Sequence, residues 1–382
     1  MLKRISILSF VLIITFVGGF FTGKLFTENK APLSKSEPLI IEEEPDIAEN
    51  EVKQDTKQEA VDLEVTNTKA LIAYVQDFRD PEEIAFDQLS HVIFSFAHPT
   101  ADGNVLLNGD TALNNLRTIV SKGHETGTKV SLAVGGWSHL YGGESYDYFQ
   151  SAISDPISRH NLVSSLMSLV EQEGLDGIDI DFEHPHSLLD AKNLTDFTKE
   201  LSDQLHPQGK ELSIAVHSKI NAYTLTETDY VIYEPSTFEY VDHVNIMAYD
   251  GQYDEGYHAE NLSTYAFSEK VANYWSNLFE QNNLPKEKLV LGVPFYAQPE
   301  DPAIKQVSYD TIISDNAANA LKDTVSLNGT TYHYNGSETM KKKTSLALEE
   351  GFGGMMLWEA GHDAAGPYSL ISVIYDELYK NS

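Results

Sequence analysis

The sequence predicts an α/β protein, a (β/α)8 TIM barrel with a short insertion between strands seven and eight. Three observations carry that prediction. From Lys69 onward, short apolar runs alternate with amphipathic stretches, as a parallel sheet with crossover helices requires. The runs number eight, at 70–75, 91–97, 129–135, 175–183, 211–216, 241–249, 288–296 and 353–358, and 69–382 is long enough for such a barrel with insertions. One of them, Leu175-Asp176-Gly177-Ile178-Asp179-Ile180-Asp181-Phe182-Glu183, alternates apolar with acidic residues where a strand covered on both faces should be apolar throughout. Such a violation is expected at a functional site.

Ahead of the barrel, Lys3-Arg4 precedes an apolar run over 5–21, closed by Thr22-Gly23-Lys24. The run exceeds the usual signal core of about 7–15 residues and sits at the lower edge of a spanning helix. Residues 1–26 therefore read as a signal-anchor that ties the chain to a membrane, positive end in the cytoplasm. Cleavage at Val17-Gly18-Gly19 would make the segment a signal peptide and the protein secreted. Residues 27–68 are rich in Glu, Asp, Pro, Lys and Gln, too polar to offset the entropy of ordering, and read as a disordered acidic linker. That leaves 69–382 as one folded domain at the cell surface or outside the cell. A net charge of −32 argues against nucleic-acid partners, which need clustered Lys and Arg. The absence of cysteine removes disulfides, Cys-based metal sites and a Cys nucleophile.

Taken in order, strand one ends at Tyr74, and the first crossover is cut down to 81–89. Strand two carries Phe94 and Phe96. Strand three ends in Gly135-Gly136-Trp137, where glycines let backbone pass close to the floor of a site. A helix begins at Asp155-Pro156, a cap followed by proline at the first helical position. Further helices are expected at 191–205, 262–281, 338–350 and 365–379, with Trp275 of the second in the core. Strand six ends in Asn245-Ile246-Met247-Ala248-Tyr249-Asp250 and strand eight in Met356-Leu357-Trp358-Glu359. The insertion at 297–336 is modest, with a hairpin expected at Thr330-Thr331-Tyr332-His333-Tyr334-Asn335-Gly336. In such barrels chemistry sits at the C-terminal strand ends, which is where these aromatic, acidic and glycine residues fall.

On strand four, residues two apart share a face at roughly 6.5–7 Å. Asp179, Asp181 and Glu183 thus form a row, with Ile178, Ile180 and Phe182 packed behind it. Like charges this close cannot all ionise, so at least one acid stays protonated near neutral pH, which is what an acid catalyst needs. A solvated acidic edge strand and a metal-dependent barrel enzyme are alternative readings of the same acids. A calcium loop counted from Asp179 fails, because its sixth and twelfth positions hold His184 and Asp190. The thirteen histidines include no HExxH or paired spacing, so neither metal nor cofactor is expected.

The octapeptide Asp176-Gly177-Ile178-Asp179-Ile180-Asp181-Phe182-Glu183 resembles the DGxDxDxE signature of glycoside hydrolase family 18, the chitinase-like enzymes. Glu183-His184-Pro185 is similar to the Glu-aromatic-Pro that often follows it there. The strand-three end resembles the family's SxGG element with Ala133 where Ser is usual, a departure that removes a hydroxyl near Asp179. Met247-Ala248-Tyr249-Asp250 resembles its M-x-Y-D, and Trp358 resembles the tryptophan that floors the sugar subsite. Phe182 stands where Trp is common. Ordinary retaining glycosidases place a carboxylate nucleophile opposite the acid, whereas here the obvious carboxylates share one strand. The resemblance implies that the substrate's own 2-acetamido oxygen is the nucleophile. Glu183 would be acid and then base, and Asp181 would orient the acetamido N–H. Asp179 would share a proton with Asp181, and Tyr249 would donate to the acetamido oxygen. Asp250 and Trp358 would hold the −1 sugar, with Tyr74, Phe96, Trp137, Gly135 and Gly136 as further substrate-binding positions. The implied partner is a polysaccharide containing N-acetylglucosamine: chitin, with peptidoglycan or the N-glycan core as alternatives. A non-catalytic lectin on the same fold is a further reading, against which all three acids survive. The short insertion implies a shallow cleft and endo-type cleavage.

Overall fold

The computed structural model describes residues 39–40 and 69–380 of the chain. Strand β1 (Leu39–Ile40) stands apart from the barrel, which opens with β2 (Ala70–Gln76) and β3 (His91–Pro99). A short strand β4 (Val105–Leu107) folds back antiparallel on the end of β3 and takes β1 on its other side, with Leu39 opposite Leu107. The barrel continues through β5 (Lys129–Gly135), β6 (Gly177–Asp181), β7 (Glu211–His217), β8 (His243–Met247) and β9 (Leu289–Pro294). After β10 (Tyr296–Pro299), β11 (Val307–Ser308), β12 (Thr324–Leu327) and β13 (Thr330–His333), it ends with β14 (Gly354–Trp358). The eight barrel strands are parallel, run in the order β3-β2-β14-β9-β8-β7-β6-β5, and close through β3 against β5.

Period-2 alternation sorts the side chains. Leu71, Ala73 and Val75 of β2 join a large core beneath the helices, whereas Ala70, Ile72 and Tyr74 face the lumen with Ile93, Ala133, Tyr249, Val290 and Met356. On β6, Ile178 and Ile180 belong to the outer core, which leaves Asp179 and Asp181 on the lumen face. Around the strands run α1 (Gly109–Thr126), α2 (Tyr146–Ser154), α3 (Pro156–Glu173), α4 (Leu188–Leu205), α5 (Tyr265–Gln281), α6 (Tyr309–Asp315), α7 (Ser337–Glu349) and α8 (Leu370–Tyr379). The helix at Asp155-Pro156 begins as the residues dictate: the Asp155 carboxylate accepts from Ile157 N–H at the cap and Pro156 takes the first helical position. Trp275 is fully buried in α5, its indole N–H donating 3.2 Å to the Ser218 carbonyl.

Some expectations need correction. The insertion hairpin is β12–β13, turning at Asn328-Gly329 with both residues at positive φ, so it starts earlier than expected and ends before Gly336. It belongs to a four-stranded antiparallel sheet, β11-β10-β13-β12. The last helix starts at Leu370, because Asp363 and Ser369 cap it there and Pro367 lies in a separate turn. Helix α1, whose buried stripe is Ala112, Leu116, Ile119 and Val120, was not anticipated. Within the acidic linker, Leu39-Ile40 of the apolar run Leu39-Ile40-Ile41 pairs as a strand, and the rest of that linker lies outside the described residues. So does the apolar run at 5–21; among the described residues no helix is long and apolar enough to cross a membrane.

Candidate active site

The site forms at the C-terminal mouth, where strand ends deliver the acids and aromatics side by side. Asp179 is fully buried and takes three donors. Tyr74 hydroxyl donates to Oδ2 at 2.8 Å, and Ser213 hydroxyl and Asn245 amide donate to Oδ1 at 2.5 and 3.1 Å. Burial pushes its pKa up and the three donors pull it down, leaving it at about 6. Asp181, two residues on, is 3% exposed, and its buried Oδ1 has no hydrogen-bond partner among the described residues. Burial, then the charges of Glu183 and Asp179, drive its carboxyl well above the usual range. Glu183 caps the row just beyond β6, with 17% of its side chain open to the mouth. Burial and then the Asp250 charge push its pKa up to about 8. The row therefore carries protons at neutral pH, as crowded like charges require.

Around the row, Tyr249 is almost buried, and among the described residues its hydroxyl has only the Met356 sulfur as a partner, at 3.9 Å. Asp250 sits in the left-handed region at φ 62 and accepts from Gln252 at 3.1 Å and from the Tyr296 hydroxyl. Trp358 stacks on Phe96 at 5.7 Å and tilts against Tyr74 at 5.7 Å, forming an aromatic floor. It is followed by fully buried Glu359, which is ion-paired with Arg79 from the loop after β2. That pair anchors the end of β14 to the strand-one loop. Trp137 is 49% exposed on the loop after β5.

The glycine pair meets two different needs. At Gly135, φ is +118 and a Cβ would lie 2.1 Å from the Asp181 carbonyl oxygen, so only glycine lets β5 approach β6 there. At Gly136, whose N–H donates 2.9 Å to that same carbonyl, a Cβ would press on the Phe96 ring at 3.0 Å.

All eleven positions singled out in the sequence lie at or near this mouth. The sequence reading missed Ser213, Asn245 as a ligand of Asp179, Tyr296, and the Arg79–Glu359 pair. Ala133 and Ser213 flank Asp179 in register on opposite neighbouring strands, and the serine hydroxyl that Asp179 receives comes from β7. The signal available was a single polar residue inside an apolar strand, as in Leu212-Ser213-Ile214 and Val244-Asn245-Ile246. Phe182 faces away from the mouth, stacked on Phe149 at 4.9 Å and Tyr146 at 5.4 Å, so its departure from Trp concerns helix packing. His184 points Nε2 at Glu183 Oε2 from 3.6 Å, and burial, then His217 and His186, hold it neutral.

A row of buried acids over an aromatic floor at the mouth of a (β/α)8 barrel is the arrangement of an enzyme that works by acid catalysis. Comparison with known proteins specifies which kind. Residues 66–363 match Glycosyl hydrolases family 18, and the chain belongs to that family. It is 29% identical over 239 residues to "Probable chitinase 10" of Drosophila melanogaster, a match covering 57% of this chain but only 10% of that much longer protein. To "Endochitinase 1" of Metarhizium robertsii it is 24% identical over 351 residues, covering 78% of this chain and 81% of that one. The GH18 chitinase ChiB from the chitin utilization locus of Flavobacterium johnsoniae superposes with a TM-score of 0.67 at 25% identity, covering 82% and 95% of the two chains.

Proposed function

We propose that the protein hydrolyses β-1,4-linked N-acetylglucosamine polymers, chitin or its oligomers, by a retaining, substrate-assisted mechanism. One observation carries this reading. Beside the protonated Glu183 stand a buried acceptor and a buried donor without strong partners, Asp181 Oδ1 and the Tyr249 hydroxyl. An N-acetyl group presents the complementary pair, an N–H and a carbonyl oxygen, and buried polar groups of this kind need partners.

In the first step Glu183 gives its proton to the glycosidic oxygen, the C1–O bond breaks, and the acetamido oxygen bonds to C1. Asp181 accepts from the acetamido N–H and balances the cation, while Tyr249 donates to the oxygen that attacks. In the second step ionised Glu183 takes a proton from water, whose oxygen attacks C1 and reopens the ring with net retention. Asp179, held by Tyr74, Ser213 and Asn245, shares the row's proton with Asp181 as charge shifts. Trp358 stacks under the −1 sugar, with Asp250 on its edge. The small insertion favours a shallow cleft and endo cleavage, and residues 1–68 would display the domain at the cell surface. The chitinases among the similar proteins support chitin as the polymer.

The test uses residues 69–382, wild type beside Glu183→Gln, with chitin oligomers and with purified peptidoglycan, products read by mass and anomeric configuration by NMR. Cleavage of chitin oligomers to β-anomers by wild type alone is the expected result. Muropeptide release with chitin untouched would replace the substrate. Binding without cleavage would leave a lectin.

A further inference from the structure

We infer that the N-terminal floor of the barrel, opposite the acids, holds a structural divalent-metal site of the zinc class built by His91, Glu211 and His243. The three residues open β3, β7 and β8; β7 and β8 are paired neighbours, and β3 faces them from across the ring. One donor atom from each lies within 4.8 Å of the other two. Two imidazoles and a carboxylate are a donor set for zinc and its neighbours and not for calcium or magnesium, which take oxygen.

Two features separate this cluster from an ordinary ion pair. His91 is already oriented as a ligand: Ser90 Oγ holds Nδ1 at 2.8 Å, and Nε2 faces Glu211 Oε2 at 2.9 Å. A hydrogen bond on the far nitrogen is how ligand imidazoles are aimed. His243 packs edge-on to the His91 ring at 5.0 Å, and its buried Nδ1 has no hydrogen-bond partner among the described residues. Metal bonds of about 2.0–2.2 Å in a tetrahedral site would set the ligand atoms about 3.3–3.6 Å apart, between the present 2.9 Å contact and the 4.8 Å within which all three atoms lie. Small side-chain shifts therefore suffice. Lys129, which holds the other oxygen of Glu211, is half-exposed and free to move into solvent as the metal takes over the carboxylate charge. A tetrahedral site of this kind leaves its fourth position for a water.

Such an ion cross-links strands two, five and six of the barrel at the face where residues serve stability, and no step of hydrolysis passes through it. The test takes the full chain in mild detergent, strips it with EDTA, dialyses it against Zn²⁺, and counts bound metal by plasma mass spectrometry. One zinc per chain is expected, with a Tm gain of about 5 °C at a hundredfold excess over Kd. Co²⁺ should give the intense visible bands of a tetrahedral site. His243→Ala and Glu211→Gln should each lose the metal and the Tm gain. If either fails to fold, wild-type stoichiometry and the Co²⁺ spectrum still decide. No retained zinc, or a Tm gain unchanged in His243→Ala, overturns the site. EDTA-stripped protein should hydrolyse substrate at the untreated rate, so this proposal and the catalytic one fail separately.

Discussion

Glu183 concentrates the chemistry in one titration. Its pKa, about 8 against an ordinary 4.5, keeps the acid form available at neutral pH. Hydrolysis should therefore fall as pH rises through about 8, a limb that a pH profile of kcat/KM will locate. Removing the proton donor with Glu183→Gln should cut kcat by about 10²–10⁴-fold. The same change acts oppositely on stability. A carboxyl whose folded pKa is raised favours folding below its unfolded value and loses that contribution as pH climbs through its folded value. Glutamine cannot ionise, so the Tm of Glu183→Gln should equal or exceed wild type, and the gap should widen from pH 5 to pH 9. Calorimetry at several pH values checks both sign and window. Asp179 behaves differently because it is matched: Tyr74, Ser213 and Asn245 surround it, whereas Asp181 keeps an acceptor open.

The strands set where these residues stand. Strand β5 must nearly touch β6 for the Asp181 carbonyl to take the Gly136 N–H, and Gly135 is the residue that permits it. Gly135→Ala should cost about 1–3 kcal/mol in strain alone. By displacing Asp181 it should lower kcat by about 10²-fold for a shift near 1 Å. Urea unfolding and kinetics on one preparation would show both losses together. Helix α5 offers the contrast. Trp275 is wholly buried, packed edge-on to Phe238 at 5.5 Å, and it makes no hydrogen bond to any of the three acids among the described residues. Trp275→Ala should destabilise by about 3–5 kcal/mol while KM stays unchanged in the surviving folded protein.

At the scale of the molecule, the barrel is a ring, and β2 from the start of the described domain pairs with β14 from its end. Lys69 Nζ donates 2.7 Å to the Phe352 carbonyl across the same seam. A chain begun at Lys69 keeps every ring strand and should unfold in one cooperative transition with the activity of the full protein. A chain begun at Ser90 lacks β2, leaves β3 and β14 with unpaired edges, and should be recovered aggregated or without a melting transition. Circular dichroism melts of the two pieces settle this.

Period, length and punctuation determined the fold in advance: eight apolar runs, a proline-capped helix at Asp155 and a strand with acids on one face leave few other arrangements. Asp179, Asp181 and Glu183 were legible for the same reason, since the pleat of one strand alone puts them in a row. Tyr249, Asp250 and Trp358 were legible through their places at strand ends. What only the tertiary structure decided is who meets whom across strands. A lone polar residue in an apolar strand marks Ser213 but not its partner: that it donates to Asp179, that Arg79 finds Glu359, and that His91, Glu211 and His243 converge beneath the barrel come from the fold. Period and propensity act over a few residues, whereas these partnerships span from about thirty to nearly three hundred and arise only when the ring closes.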